Sequence, residues 1–255
     1  MPPTTALHPQ PLANPAPPIA MGLLLVVALT VLWDMGSGDL AVMRWIGTPQ
    51  GFPMRSDWLL QAVLHDTLRQ ACTALWGLLG AWALWPTAWT PHRSPAFALP
   101  RSERLWVLAL VSASLLAVSL IKLRSQTSCP WDLDLFGGQA RHVSHWHWAQ
   151  ADGGPGRCFP GGHASSGMGF LALCLPWLLP PPGVVRPARP GWRWLAAAVV
   201  TGLVAGAVQT LRGAHYPSHT LWTLVICGAV SLLGWLVARQ HIAGAGGQSH
   251  SAARV

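Results

Sequence analysis

The sequence predicts an all-α polytopic membrane protein, a six-transmembrane-helix bundle with an outer loop subdomain. Three observations lead there. Only 9% of the 255 residues are charged while 51% are apolar, whereas a soluble domain carries about a quarter charged residues. Six runs, roughly 18–35, 70–89, 105–123, 164–180, 192–211 and 219–238, are apolar enough and nearly long enough to cross a bilayer core. Trp33, Trp89, Trp106, Trp177, Trp192 and Trp222 fall near run ends, where an interfacial aromatic belt lies.

Residues 1–17 are Pro-rich and contain no Lys or Arg. They lack the basic stretch of a signal peptide, so the first run is expected to stay as a helix. The segment 55–69, with Trp58, Leu59, Leu60 and Leu64 among polar residues, reads as an interfacial helix. The first and fourth runs are short and call for tilt or local thinning. One domain over 18–240 follows, with a motif core at 122–223 and a Gly/Ser-rich, disordered tail at 241–255.

Lys and Arg divide evenly between the two sides of such a bundle, so their density decides orientation. The short loops 90–104 (Arg93, Arg101, Arg104) and 181–193 (Arg186, Arg189, Arg193) are basic and belong in the cytoplasm. The long loops 34–69 and 124–163 then face outward, across the inner membrane if the cell is bacterial. The net charge of +8 suits anionic lipid headgroups, and nothing points to nucleic acid. Cys72, Cys174 and Cys227 lie in apolar runs as packing residues, while Cys129 and Cys158 share an outer loop where a disulfide is expected.

Alternation of the runs has a consequence that is independent of orientation. Lys122 ends the third run, His163 opens the fourth, and His215 joins the fifth to the sixth, so all three emerge on one face. Gly161 and Gly162 allow close backbone approach to a ligand. A helix starting near Ala164, and another near Pro217 with Ser218 as cap, would turn two N-termini toward an anion. Lys122, Arg124, Arg157 and Arg212 would supply cationic charge. A phosphate fits such a place. The rival cluster Arg141-His142-Val143-Ser144-His145-Trp146-His147-Trp148 would put His145 and His147 on one side of an extended segment, as a metal site requires. No Cys or carboxylate follows at a ligand spacing, so an interfacial segment is the better reading, and no metal is expected.

These residues resemble the type 2 phosphatidic acid phosphatase and vanadium haloperoxidase superfamily. Its pattern is K-x6-R-P, then P-S-G-H, then S-R-x5-H-x3-D. This chain reads Lys122-x6-Cys129-Pro130, then Pro160-Gly161-Gly162-His163, then Gln209-x5-His215-x3-His219. Order and spacing match over about 100 residues. Among the departures, Cys129 and Gln209 replace arginines, Gly161 a serine, and His219 the aspartate.

The resemblance implies a six-helix bundle with phosphohistidine chemistry and no cofactor. His215 matches the nucleophile and His163 the general acid. His219 occupies the place of the residue that orients the nucleophile; Asp132, Asp134 or Asp152 are alternatives for that duty. Lys122 and Arg212 would hold the phosphate with the amides of Gly161 and Gly162. Arg212 lies one turn after Gln209, on the same face of a continuing helix, while Arg124 or Arg157 would replace the first-block arginine. The function expected is hydrolysis of a lipid phosphate or diphosphate, with membrane lipids as surroundings. Phosphatidate-like lipids, undecaprenyl diphosphate and lipid A phosphates all fit. A lipid phosphotransferase with the same phosphohistidine, and an inactive binding or structural protein, are the alternatives. Haloperoxidase activity is not expected, because those relatives are generally soluble.

Overall fold

The computed structural model describes residues 16–86 and 99–252. The end of the second run with Trp89, and Arg93, lie outside these described residues. The described residues form eight α-helices: α1 (Ala16–Met35), α2 (Gly38–Ile46), α3 (Leu68–Leu84), α4 (Arg101–Arg124), α5 (Ser165–Met168), α6 (Leu175–Leu178), α7 (Arg189–Leu211) and α8 (Pro217–Ala252). Among the described residues there is no strand beyond two isolated bridges. The expected all-helical class therefore holds.

Among the described residues four helical segments are long and apolar enough to cross a membrane: Pro17–Met35, Arg101–Arg124, Arg189–Leu211 and Pro217–Gly244. These correspond to the first, third, fifth and sixth runs. The second run forms α3, which continues a π-helix over Leu59–Thr67 where an interfacial helix was expected. The fourth run departs most from expectation. Instead of one helix over 164–180 it is a broken rod: α5, a 3-10 turn at Leu171–Cys174, then α6. Gly167 and Gly169 weaken the α-helical ladder, and Pro176 removes a donor at the start of α6. At the other end, α8 runs on to Ala252, so residues 241–252 extend a helix where a disordered tail was expected.

Close packing explains where the glycines sit. A Cβ on Gly167 would lie 2.3 Å from the Gly202 nitrogen of α7, and one on Gly206 would lie 2.2 Å from Thr220 Oγ1 of α8. Gly202 and Gly206, four residues apart, thus let α7 meet α5 and α8 at backbone distance, as small residues do between membrane helices. The central core joins Val107, Leu110 and Val111 of α4 to Phe170, Leu175 and Trp235. Trp235 is fully buried, and its indole N–H donates to the Leu179 carbonyl at 2.7 Å. By contrast α1 exposes Leu24, Leu25, Leu29 and Leu32, a surface suited to lipid.

The end of the bundle opposite the histidines is tied by charge. Arg186 makes a two-pronged contact with Glu103, which is 1% exposed, and also donates to the Pro176 carbonyl at 3.1 Å. Arg104 donates to the carbonyls of Trp82 and Trp85, where α3 ends. Removing one member of a buried pair leaves the other uncompensated. Glu103→Gln is therefore expected to cost about 3–5 kcal/mol. Thermal unfolding in detergent measures this, with Arg186→Met in the same background expected to recover part of the loss.

Candidate active site

Why the chain brings His215 to its place begins with the end of α7. The helix stops at Leu211, and Gly213 takes a left-handed conformation (φ 74°) of the kind that terminates helices. Phe52 fills the space that a Cβ on Gly213 would need, at 2.2 Å. The amides of Ala214 and His215 fold back onto the Gln209 carbonyl, and α8 starts at Pro217. His215 is thereby held in a tight turn with only 4% of its surface exposed.

Its Nδ1 lies 3.4 Å from Cys158 Sγ and 3.4 Å from Nδ1 of His219. His219, on the first turn of α8, is wholly buried, and its Nδ1 is 3.1 Å from the Cys158 carbonyl. The His219 carbonyl accepts the Gly161 amide at 3.0 Å, and Thr223 Oγ1 donates to the carbonyls of both Gly161 and His219. The His163 loop is thus stitched to α8. From the other side comes Lys122, whose Nζ would stand 3.9 Å from a Cβ on Gly162. Lys122, His219 and His163 all act electrostatically on His215. Burial, reinforced by Lys122 and by the neighbouring imidazoles of His219 and His163, pushes the His215 imidazole well below its ordinary pKa, so it is neutral near pH 7. Neutral is the state a nucleophilic imidazole needs.

Lys122 from α4, His163 ahead of α5, and His215 with His219 around the start of α8 therefore converge at one end of the bundle. The profile of the PAP2 superfamily matches residues 104–243, more than half of the chain. The chain belongs to the PAP2 superfamily. Neither a search of curated proteins nor one of solved structures returned a match. Membership brings phosphatase-type chemistry on phosphate esters and fits the four long apolar helices of a membrane protein.

Within this PAP2 site the departures from the family pattern acquire reasons. Cys129, at the position of an arginine, is bridged to Cys158 with 5.1 Å between α-carbons. That bridge sets sulfur against His215. A side chain at Gly161 would bring Cβ within 3.1 Å of the His219 carbonyl, so the position favours glycine. The sulfurs of Cys129 and Cys158 and a ring nitrogen of His215 lie within 4.8 Å of one another. With the sulfurs bonded to each other they are not thiolate ligands, and the cluster is not a metal site in this state.

The other candidates stand further out. Arg124 and Arg157 are exposed and line a separate cavity with Ser125, Gln126 and Gly156, in which none of the histidines takes part. Arg212 caps the end of α7 with a helical backbone (φ −78°, ψ −8°) and its amide donating to the Val208 carbonyl at 3.2 Å, so it keeps the helical path one turn after Gln209; its Nε donates to the Arg55 carbonyl at 3.1 Å. The Gly161 amide is committed to His219, leaving the Gly162 amide as the nearer candidate for a phosphate. The N-terminus of α8 is not an open anion site either. Asp39 of α2 already occupies it, accepting from the Ser218 amide at 3.0 Å and from the Ser218 hydroxyl. Ser218 is thus a donor to this cap and not the cap itself. Of the acids considered for orienting His215, Asp152 accepts from Ser128 and Gly154, and Asp132 from the Trp131 indole. Asp134 is exposed. The four-residue α5 offers only one turn at the His163 end, a much smaller dipole than the full helix expected there.

The segment 141–148 is turned and not extended, so His145 and His147 part company. His145 is buried and stacked on Phe159 at 4.3 Å, whereas His147 is exposed. Sequence reasoning missed the contact of Cys158 with His215, the cap by Asp39, and the pairing of His145 with Asp34 at 3.2 Å. The spacing of Asp34 and Asp39 just after an apolar run was the only signal for the last two.

Proposed function

We propose that this chain is a metal-independent lipid phosphatase that works through a phosphohistidine on His215 at the extracytoplasmic face. The observation that carries the reading is the convergence of Lys122, His163 and the neutral, buried His215 at the mouth of apolar helices. A lipid chain can stay in the bilayer there while its phosphate reaches the histidines. His215 Nδ1 faces Cys158 and His219, which leaves Nε2 to attack phosphorus. As the N–P bond forms, the bond from phosphorus to the lipid oxygen breaks, and His163 gives that oxygen a proton. Water then attacks the phosphohistidine, His163 takes the water proton, and inorganic phosphate leaves. Lys122 and the Gly162 amide face the phosphoryl oxygens as their charge grows, with Arg212 as a further cation at the rim.

The test is phosphate release from purified phosphatidate, undecaprenyl diphosphate and lipid A, with and without chelator and vanadate. Chelator-insensitive, vanadate-sensitive release supports the reading; transfer of the phosphoryl group to a second lipid without release makes the protein a phosphotransferase instead.

Sidedness has its own measurement. Ala151 and Pro187 are both exposed, on loops at opposite ends of the bundle. Ala151→Cys is expected to react with a membrane-impermeant thiol reagent in intact cells and Pro187→Cys is not; the reverse pattern would turn the site toward the cytoplasm.

A further inference from the structure

A cavity of about 170 Å³ adjoins His219, lined among others by Asp34, Asp39, His142, His145 and Tyr216. His219 Nε2 is buried without a hydrogen-bond partner, although the ring belongs to this polar cavity. Across it, His145 stands edge-on to His219 with ring centroids 5.8 Å apart. Its Nε2 is 3.2 Å from Asp34 Oδ2, an ion-pair distance without hydrogen-bond alignment. The Asp34 carboxylate is itself fixed, accepting the indole N–H of Trp222 at 2.7 Å and that of Trp146 at 3.2 Å. Asp39 is committed to Ser218 and Trp33. Neighbouring side chains therefore run from Asp34 through His145 and, across the cavity, His219 to His215.

Tautomers give this sequence its meaning. The Cys158 carbonyl only accepts, so with His219 Nδ1 beside it that nitrogen carries a proton, shared toward His215 Nδ1. His215 would then hold its own proton on Nε2, the nitrogen that has to be bare to attack. The working arrangement is the opposite one, with the His219 proton on Nε2 and His219 Nδ1 accepting the His215 Nδ1 proton. The Asp34 carboxylate beside His145 Nε2 favours the proton on that nitrogen, which leaves His145 Nδ1 as an acceptor. The cavity has ample room for water between the two rings.

We propose that Asp34, acting through His145 and His219, sets the tautomer of His215, doing at a distance what a carboxylate in direct contact with the nucleophile would do. The inference rests on His215 being the nucleophile. In the switch the His219 Nδ1 proton passes to His215 Nδ1, and the His215 Nε2 proton passes to water in the phosphate pocket. A proton from solvent, relayed by cavity water, replaces the one at His219 Nε2, and the proton released to water in the phosphate pocket returns to solvent, so the charge balances. Each imidazole stays neutral and one proton crosses the pair. Lys122 acts electrostatically on both His215 and His219, and His142 and Tyr216 complete the cavity wall.

The test combines nitrogen-15 histidine NMR of the full chain in detergent with steady-state kinetics on a lipid phosphate. Asp34→Asn is expected to shift His219 toward the Nδ1-protonated form and to lower kcat on the order of tenfold or more at unchanged KM, with Asp34→Glu restoring part. In a His219→Asp background, where the carboxylate touches His215 directly, Asp34→Asn should change kcat by less than about twofold. An equal loss in both backgrounds, or unchanged tautomers in Asp34→Asn, would overturn the relay. Should the wild type release phosphate from no lipid, the phosphatase reading fails, and the tautomer populations alone decide the relay.

Discussion

His215→Asn is expected to lower phosphate release on the order of 10³-fold or more, roughly 4 kcal/mol of transition-state stabilisation. The amide keeps much of the ring's volume and a polar edge toward Cys158 and His219, so folding should survive. That choice matters because His215 is 96% buried, and alanine would leave a hole against the disulfide. His163→Asn is expected to lose about 10²–10⁴-fold, the range for a general acid. Phosphate release by purified variants with wild-type unfolding temperatures checks both. Near-normal turnover in either one would remove it from the chemistry.

Reduction of the Cys129–Cys158 bridge should have the next largest effect. The loop it closes separates the two cysteines by 29 residues, worth roughly 3–4 kcal/mol in the chain-entropy account. The same bridge positions the Cys158 sulfur against His215 and the Cys158 carbonyl against His219. A displacement of about 1 Å at a reacting group costs on the order of a hundredfold in rate. A dithiol is therefore expected to lower both the unfolding temperature and turnover by at least about tenfold. Cys129→Ser should reproduce the loss and become insensitive to the dithiol. An active, equally stable reduced protein would show that neither histidine depends on the bridge.

The sequence made some of this architecture readable because the signal was local. The apolar runs that became α1, α4, α7 and α8 needed only length and hydropathy, and alternation alone placed Lys122, His163 and His215 together. The broken fourth run was hidden because hydropathy averages over Gly167, Gly169 and Pro176, each of which a packed membrane helix tolerates singly. For His145 an extended segment was assumed where the chain turns. Contacts such as Asp39 with Ser218, 179 residues apart, leave no trace in local pattern. They depend on how α2 docks against the start of α8, and only the folded chain reveals that an internal carboxylate already fills a helix end that looked ready for phosphate.

One measurement bears most directly on the central claim that phosphate passes through His215. Brief reaction with a lipid phosphate labelled with phosphorus-32, quenched in alkali, should leave label on the peptide containing His215, stable to base and released by acid as an N–P bond is. His215→Asn should carry none, and His163→Asn, with slowed turnover of the intermediate by water, should retain label longer than the wild type. Lipid phosphate hydrolysis without base-stable label on that peptide, or with label undiminished in His215→Asn, would contradict the account.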